Sequence, residues 1–209
     1  MTNKSVILGL VAALLGSTAQ AATITWDMSG GVAPPGHPAG TTENFNADGI
    51  TISAAGFTNA TQSTPTDLFL KNNHGDEVGL GIASGIDHEI SGHDVVVVNF
   101  SSAIAAGLAA ASFDFKMDSV TGSDSWLILG STTGTAGSFT NTVMSGHDEA
   151  LHSGLPLFNF YEVSAPSGTV LLSAVSGTKA QVSAPEPATL GLMTLGLLGA
   201  GIAGRKRRN

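Results

Sequence analysis

Hydrophobic residues in the middle of the chain form short runs that do not repeat with the spacing of a helix. The runs are rich in β-branched and aromatic residues, and Gly, Asn, Asp or Ser closes each of them. Such runs are typical of β-strands. They lie at residues 24–26, 50–52, 68–70, 78–82, 95–100, 113–117, 126–129, 157–163, 170–175 and 180–182. Many short strands at spacings of about ten residues predict an all-β fold, a single β-sandwich of jelly-roll type.

Two of these runs indicate different surroundings. Residues 113–117 alternate apolar and polar side chains, as a strand with one buried face does. Residues 95–98 are four consecutive valines, which favours a strand that is covered on both faces. The Ala-rich segment 101–111 fits either one helical turn or a long crossover. Turn-rich loops are predicted at residues 30–42, 58–66 and 131–138.

The N-terminal end has the pattern of a secretory signal peptide. Lys4 provides a positive charge, residues 6–15 are apolar, and Ala19-Gln20-Ala21 is a small-residue cleavage site. The apolar stretch is too short to span a bilayer. We therefore predict a leader over residues 1–21, which signal peptidase removes after Ala21.

The C-terminal end carries a second membrane signal. Residues 188–204 are uncharged and apolar, and Arg205, Lys206, Arg207 and Arg208 follow them as a basic stop. As a helix this segment is about 26 Å long, and a thinned bilayer can make up the difference from the usual core of about 30 Å. We expect a transmembrane helix here. Because basic residues stay in the cytoplasm, the domain between the two signals is expected to be exported.

The exported segment is strongly acidic. Between the leader and the apolar C-terminal segment, Lys71, Lys116 and Lys179 are the basic residues and all 16 acidic residues occur, Glu186 included, so the formal charge is −13, against −8 for the whole chain. This charge argues against binding nucleic acid or anionic lipid through a basic surface. Cys is absent, so no disulfide supports the domain in its oxidising destination.

The motifs of common enzymes are missing. There is no nucleophile-elbow serine, phosphate-binding loop or zinc-protease helix motif, and without Cys there is no thiol nucleophile. Gly79, Gly81 and Gly85 miss a dinucleotide loop by one residue, and we expect them to serve turns or close strand packing. The scattered acids supply candidate pairs for glycoside hydrolysis by chance alone. The sequence predicts that the protein is not an enzyme.

Histidines beside acids suggest a ligand site. Asp87, Glu89 and Asp94 surround two of them, and the tetrapeptide Ser-Gly-His-Asp occurs at residues 91–94 and 145–148. Carboxylates with loop carbonyls suit a structural Ca²⁺, whereas His with carboxylate suits Zn²⁺. In a strand, Asp87 and Glu89 would share a face, and Asp94 could join them from the next turn. Polar turns between strands explain the same residues without a metal.

Aromatic residues raise the possibility of carbohydrate binding, since exposed rings on a β-sandwich can stack on sugars. Trp26, Trp126 and Tyr161 are the candidates beside the phenylalanines. Aromatic residues make up only 6% of the chain, so most of them are needed for the core. Trp126 is predicted to be buried, and the sequence does not decide the position of Trp26.

The C-terminal tail resembles the PEP-CTERM sorting signal of Gram-negative bacteria. The resemblance covers residues 183–209: a linker with the motif Pro185-Glu186-Pro187 at 183–187, the apolar helix at 188–204 and the basic tail at 205–209. It implies processing at or near the motif by an exosortase, a membrane-embedded protease or transpeptidase. Residues 22–182 are then a passenger domain, and parts of it (78–82, 87–90 and 95–100) resemble a segment common in other passengers of this family.

The resemblance also implies a location and a function. The protein would be anchored transiently in the inner membrane and would end at the cell surface or outside the cell, in an exopolysaccharide or biofilm matrix. We therefore predict a non-enzymatic surface or matrix protein. The first alternative is an extracellular module that binds carbohydrate or a divalent cation, and the second is a secreted hydrolase.

Overall fold

The computed structural model describes residues 22–33, 35–73, 76–108 and 113–179. The predicted leader with Ala19 and Ala21, the motif Pro185-Glu186-Pro187, the predicted membrane helix and the basic stop Arg205 to Arg208 lie outside the described residues. So does the run 180–182. Among the residues described, no helix is long and apolar enough to cross a membrane.

The described part of the chain consists almost entirely of strands. One short helix, α1 (Ser101–Ala105), and one 3-10 turn (Ile86–His88) interrupt them. The strands are β1 (Ala22–Asp27), β2 (Gly36–Pro38), β3 (Thr42–Ala47), β4 (Ile50–Phe57), β5 (Pro65–Thr66), β6 (Leu68–Asn72), β7 (Val78–Ile82), β8 (Ile90–Ser91), β9 (Val95–Asn99), β10 (Phe113–Asp118), β11 (Ser125–Ser131), β12 (Asn141–Gly146), β13 (Leu151–Leu155), β14 (Phe160–Ser167) and β15 (Thr169–Lys179).

The strands form two antiparallel sheets that pack face to face. Sheet A has the order β13-β10-β15-β7-β6-β2, and β1 and β8 also pair with β15. Sheet B has the order β12-β11-β14-β9-β4-β3, and β5 pairs with β4. Inward-facing residues of both sheets form one continuous hydrophobic core. The predicted all-β sandwich is confirmed, while its jelly-roll type stays a prediction.

Burial follows the alternation that the sequence shows. In β10, Phe113, Phe115 and Met117 are buried and Lys116 is exposed. The four valines of β9 are all buried, which confirms a strand covered on both faces: Val96 and Val98 belong to the core between the sheets, and Val95 and Val97 lie on the outer side. Segment 101–111 begins with the helical turn α1, the first of the two expected alternatives.

The aromatic residues proposed as sugar platforms are core residues. Trp26 and Trp126 are buried and donate their indole N–H groups to Ile50 O at 2.9 Å and Asp148 O at 3.0 Å. Tyr161 is also buried, and desolvation raises the pKa of its hydroxyl to about 12. Every aromatic residue of the chain lies among the described residues, and none of them is exposed. The rings of Trp26, Trp126 and Tyr161 therefore stabilise the sandwich and offer no open stacking surface.

The two ends of the described chain lie side by side. Strand β1 pairs antiparallel with the second half of β15, and Ala22 lies opposite Lys179. Ala22 is the first residue after the predicted leader, and Lys179 comes shortly before the predicted sorting motif. The first and last strands of the described residues thus close the same part of sheet A.

Candidate functional site

An open cleft lies beside β6 and the 3-10 turn. Its volume is about 690 Å³. One proline and several aromatic, charged and amide side chains line the cleft. They are Pro35, Phe69, Lys71, Asn73, Glu77, Asp87 and His88. This cleft brings Glu77, Asp87 and His88, which all belong to the stretches of histidines beside acids, next to Lys71.

Two glycines allow segment 86–89 to lie against β7. A Cβ atom at Gly81 would lie 2.1 Å from the backbone oxygen of His88, and one at Gly85 would lie 2.0 Å from that of Glu89. No side chain fits these spaces. The expectation that these glycines serve close packing is therefore confirmed.

The segment itself turns sharply and places a ring over the sheet. Asp87 and His88 have φ angles of 53° and 62°, in the left-handed region. The His88 ring stacks on Phe69, with 4.1 Å between ring centroids and 16° between the planes. Its Nδ1 lies 2.9 Å from Ala83 O, which holds the ring in place. One wall of the cleft is thus a fixed imidazole.

A buried ionic group, the Lys71 cluster, lies at the base of the cleft and consists of Lys71, Glu77, Glu89 and Ser119. Lys71 Nζ lies 2.7 Å from Glu77 Oε2 and 2.5 Å from Glu89 Oε1. Ser119 Oγ donates a hydrogen bond of 2.8 Å to the same Oε1. Lys71 is 8% exposed and Glu89 is 2% exposed. Glu89 Oε2 is buried and has no hydrogen-bond partner among the described residues.

The charges in the Lys71 cluster stabilise one another. Burial acts to lower the pKa of Lys71, but the hydrogen bonds and charges of Glu77 and Glu89 raise it above its usual value. The hydrogen bond from Lys71 holds the pKa of Glu77 below its usual value. The lysine side chain is therefore a charged ammonium that contacts both glutamates.

The three predicted metal ligands are not gathered around one point. Asp87 is exposed within the 3-10 turn and Glu89 is buried at its end, so they do not share a face as they would in a strand. Asp94 accepts a hydrogen bond from Ser91 Oγ at 3.4 Å, and burial raises its pKa. Lys71 supplies the positive charge next to Glu89. In the described part of the chain, no group of three or more His, Asp and Glu residues could hold a metal ion. A structural Ca²⁺ stays an untested prediction.

The first Ser-Gly-His-Asp tetrapeptide forms a turn, and the second spans the end of β12 and the bend that follows it. At 91–94 the Ser91 hydroxyl bonds to Asp94 within the turn. At 145–148 the His147 Nδ1 lies 2.8 Å from Asp124 O, and Asp148 lies 2.7 Å from His152 Nε2. These contacts agree with the expectation of polar turns between strands.

The sequence did not connect Lys71, Glu77 and Ser119 with one another, although Glu77 belongs to a stretch, residues 74–77, in which acids stand beside a histidine. They lie on β6, before β7 and after β10, and no local pattern connects them. Lys71 had one weak signal: a charged residue in an otherwise apolar strand. A lysine buried in such a strand requires a partner of opposite charge.

Comparison with known families adds the identity of the tail. Residues 183–208 match the family model of the PEP-CTERM protein-sorting motif. The chain carries a PEP-CTERM sorting signal. The predicted motif Pro185-Glu186-Pro187 and the basic stop lie within the matched range. No curated protein and no solved structure matches the chain. The PEP-CTERM match is confined to the tail and does not include any residue of the cleft.

Proposed function

We propose that this chain is an exported, non-enzymatic protein of the cell surface or extracellular matrix, which an exosortase processes at its C-terminal signal. The observation that carries the proposal is the PEP-CTERM match at residues 183–208. That motif implies export and a sorting signal that resides only transiently in the membrane. The association with exopolysaccharide or biofilm comes from the resemblance to other proteins with this signal.

The chemistry of the cleft supports a role without catalysis. A glycoside hydrolase needs one carboxyl group whose pKa is raised, so that it can donate a proton beside an ionised partner. In the cleft, Lys71 acts in the opposite direction and lowers the pKa of Glu77. Glu89 is bonded to the same ammonium. Glu77 therefore lacks the raised pKa that the general acid of a glycoside hydrolase requires.

The cleft also favours a second candidate, a passenger that binds the host's own exopolysaccharide. Phe69 and His88 present a stacked pair at the wall, and Asn73 and Asp87 offer hydrogen-bonding groups. Pull-down of the mature protein on that polysaccharide tests this candidate. We expect His88→Ala to weaken retention and Asp67→Ala, an exposed residue that does not line the cleft, to leave it unchanged. Equal retention of both variants would contradict binding in the cleft.

Mass determination of the mature C-terminus tests the main proposal. The protein is recovered from the surface of its host, with and without the exosortase. We expect the chain to end at or near residues 185–187 when the enzyme is present, and to remain full length in the membrane when it is absent. An intact tail from Arg205 to Asn209 in the mature surface form would overturn the proposal.

A single substitution tests which part of the signal is recognised. In Glu186→Ala, export continues but we expect unprocessed precursor to accumulate in the inner membrane, because the acidic residue of the motif is lost. Glu43→Ala, an acid within the passenger, is the matched control and should be processed normally. Normal processing of Glu186→Ala would show that the enzyme recognises the apolar segment and the basic stop instead.

A further inference from the structure

In the Lys71 cluster one amine contacts both a carboxyl acceptor and a second carboxyl group that can carry a proton. Nζ of Lys71 touches Oε1 of Glu89 and Oε2 of Glu77, and water has little access to the first pair. We propose that Lys71 and Glu89 are joined by an intramolecular isopeptide bond between Nζ and Cδ, with Glu77 as the proton carrier. The passenger domain would then carry a covalent cross-link in place of an ion pair.

The position of the two residues suits such a bond. Lys71 is on β6 and Glu89 ends the 3-10 turn, and the close approach at Gly81 presses segment 86–89 onto the sheet. Fixed contact replaces the encounter that a reaction in solution requires, which is worth several orders of magnitude in rate. The buried position also protects the product from hydrolysis.

The atoms and charges of the reaction balance. The Lys71 ammonium gives one proton to Glu89, which makes that carboxyl group a neutral electrophile, and the lone pair freed on Nζ attacks its Cδ. The Nζ–Cδ bond forms and one Cδ–O bond breaks. The departing oxygen takes two protons from Nζ, one of them by way of Glu77, and leaves as water. One ammonium and one carboxylate become one amide and one water, so no oxidant or reductant is needed.

The hydrogen bonds around Glu89 distinguish its two oxygens. Ser119 donates to Oε1, which is therefore the oxygen retained as the amide carbonyl. Oε2, which has no hydrogen-bond partner among the described residues, is the oxygen that leaves. Conversion to an amide also removes two buried charges whose desolvation is costly.

A covalent link has a clear use in this chain. The sequence has no Cys, so the exported passenger cannot use disulfides. An isopeptide bond between β6 and the 3-10 turn closes a loop in the unfolded chain and lowers its entropy, as a disulfide does. It cannot be undone by reduction.

Tryptic peptide mapping of the denatured mature protein tests the proposal. Trypsin cuts after an unmodified Lys71 and gives the peptides 22–71 and 72–116. With the bond, Lys71 is not cut, and we expect one peptide, 22–116, lighter than its sequence by one water. Cleavage before Asp76 and Asp87 should then leave a branched peptide that contains both residues. Linear peptides with unmodified Lys71 and Glu89 would overturn the proposal and leave a buried ion pair.

Two variants test the bond and the role of the proton carrier separately. Lys71→Arg keeps the positive charge but cannot form this amide, so trypsin should cut after residue 71 and no water should be lost. Glu77→Gln keeps the size of the side chain but cannot accept the proton, and we expect the linear form to predominate. Circular dichroism checks that both variants fold. A folded Glu77→Gln protein that is fully cross-linked would overturn the role of Glu77.

Discussion

At the residue scale, Gly81 controls the shape of the cleft. A methyl group there would lie 2.1 Å from His88 O, so segment 86–89 would have to move away from β7. We expect Gly81→Ala to lower the free energy of unfolding by about 1–3 kcal/mol. Gly40→Ala is the control, because its Cβ would have 3.8 Å to the nearest heavy atom and the expected change is within about 0.5 kcal/mol. Urea denaturation measures both, and equal midpoints would contradict the packing argument.

Glu162 is a second residue whose environment has a measurable consequence. It is buried on β14, its Oε2 accepts a hydrogen bond of 2.9 Å from Gln62, and burial raises its pKa above the usual 4.5. An acid with a raised pKa binds its proton more tightly in the folded state, so its ionisation costs stability as pH rises through the folded pKa. We therefore expect Glu162→Gln to be more stable than the wild type at neutral pH.

The difference in stability between Glu162→Gln and the wild type should depend on pH. It should shrink as the pH falls through the folded pKa and be smallest below 4.5, the usual value for this group, because the wild-type carboxyl is then protonated in both the folded and the unfolded state. Thermal melts of both proteins from pH 4 to 8 measure it. A difference that stays constant over this range would show that the effect comes from packing and not from ionisation.

At the scale of the element, strand β1 has one face buried in the core and the other exposed to solvent. Ile24 and Trp26 are buried and Thr25 between them is exposed. We expect Trp26→Ala to cost about 3–5 kcal/mol, since it leaves a cavity and removes the hydrogen bond to Ile50 O. Thr25→Ala, on the opposite face, should stay within about 0.5 kcal/mol. Guanidinium denaturation distinguishes them, and similar losses would mean that β1 is not held by its inner face.

The same alternation explains which elements the sequence predicts. Nearly all residues of β7 and β9 are buried, and every second residue of β10 is buried, so each of these strands contains an apolar run in the sequence. The strands lie at the positions that these runs predict. Strands β3, β12 and β13 lie at the edges of the sheets or next to them and carry mostly polar residues, so no hydrophobic run marks them. Their pairing depends on neighbours that are distant in the sequence.

The candidate site was harder to predict than the strands. Asp87 and Glu89 were noted because of their local pattern, but the partner of Glu89 is Lys71, which reaches it through the β6–β7 pairing and the turn at residues 86–88. Ser119 comes from the end of β10. Contacts of this kind depend on strand register and on backbone turns with positive φ, and a single sequence states neither.

At the scale of the whole molecule, the passenger closes where its two ends meet. Ala22 and Lys179 are paired, so sheet A is complete only when the chain as far as β15 has been exported. A short linker then separates Lys179 from Pro185. At 3.3–3.6 Å per residue it spans at most about 20 Å. The folded sandwich and the site of processing are therefore close to one another along the chain.

The length of this linker predicts an effect on processing. Deletion of residues 180–183 shortens its reach to about 7 Å, which brings the folded edge of sheet A against the membrane-embedded enzyme. We expect precursor to accumulate, as judged by retention of a tag placed after Asn209. Replacing residues 180–183 with a Gly-Ser segment of equal length is the matched control and should be processed normally. Processing of the deletion at the control rate would show that the enzyme tolerates the folded domain at its entrance.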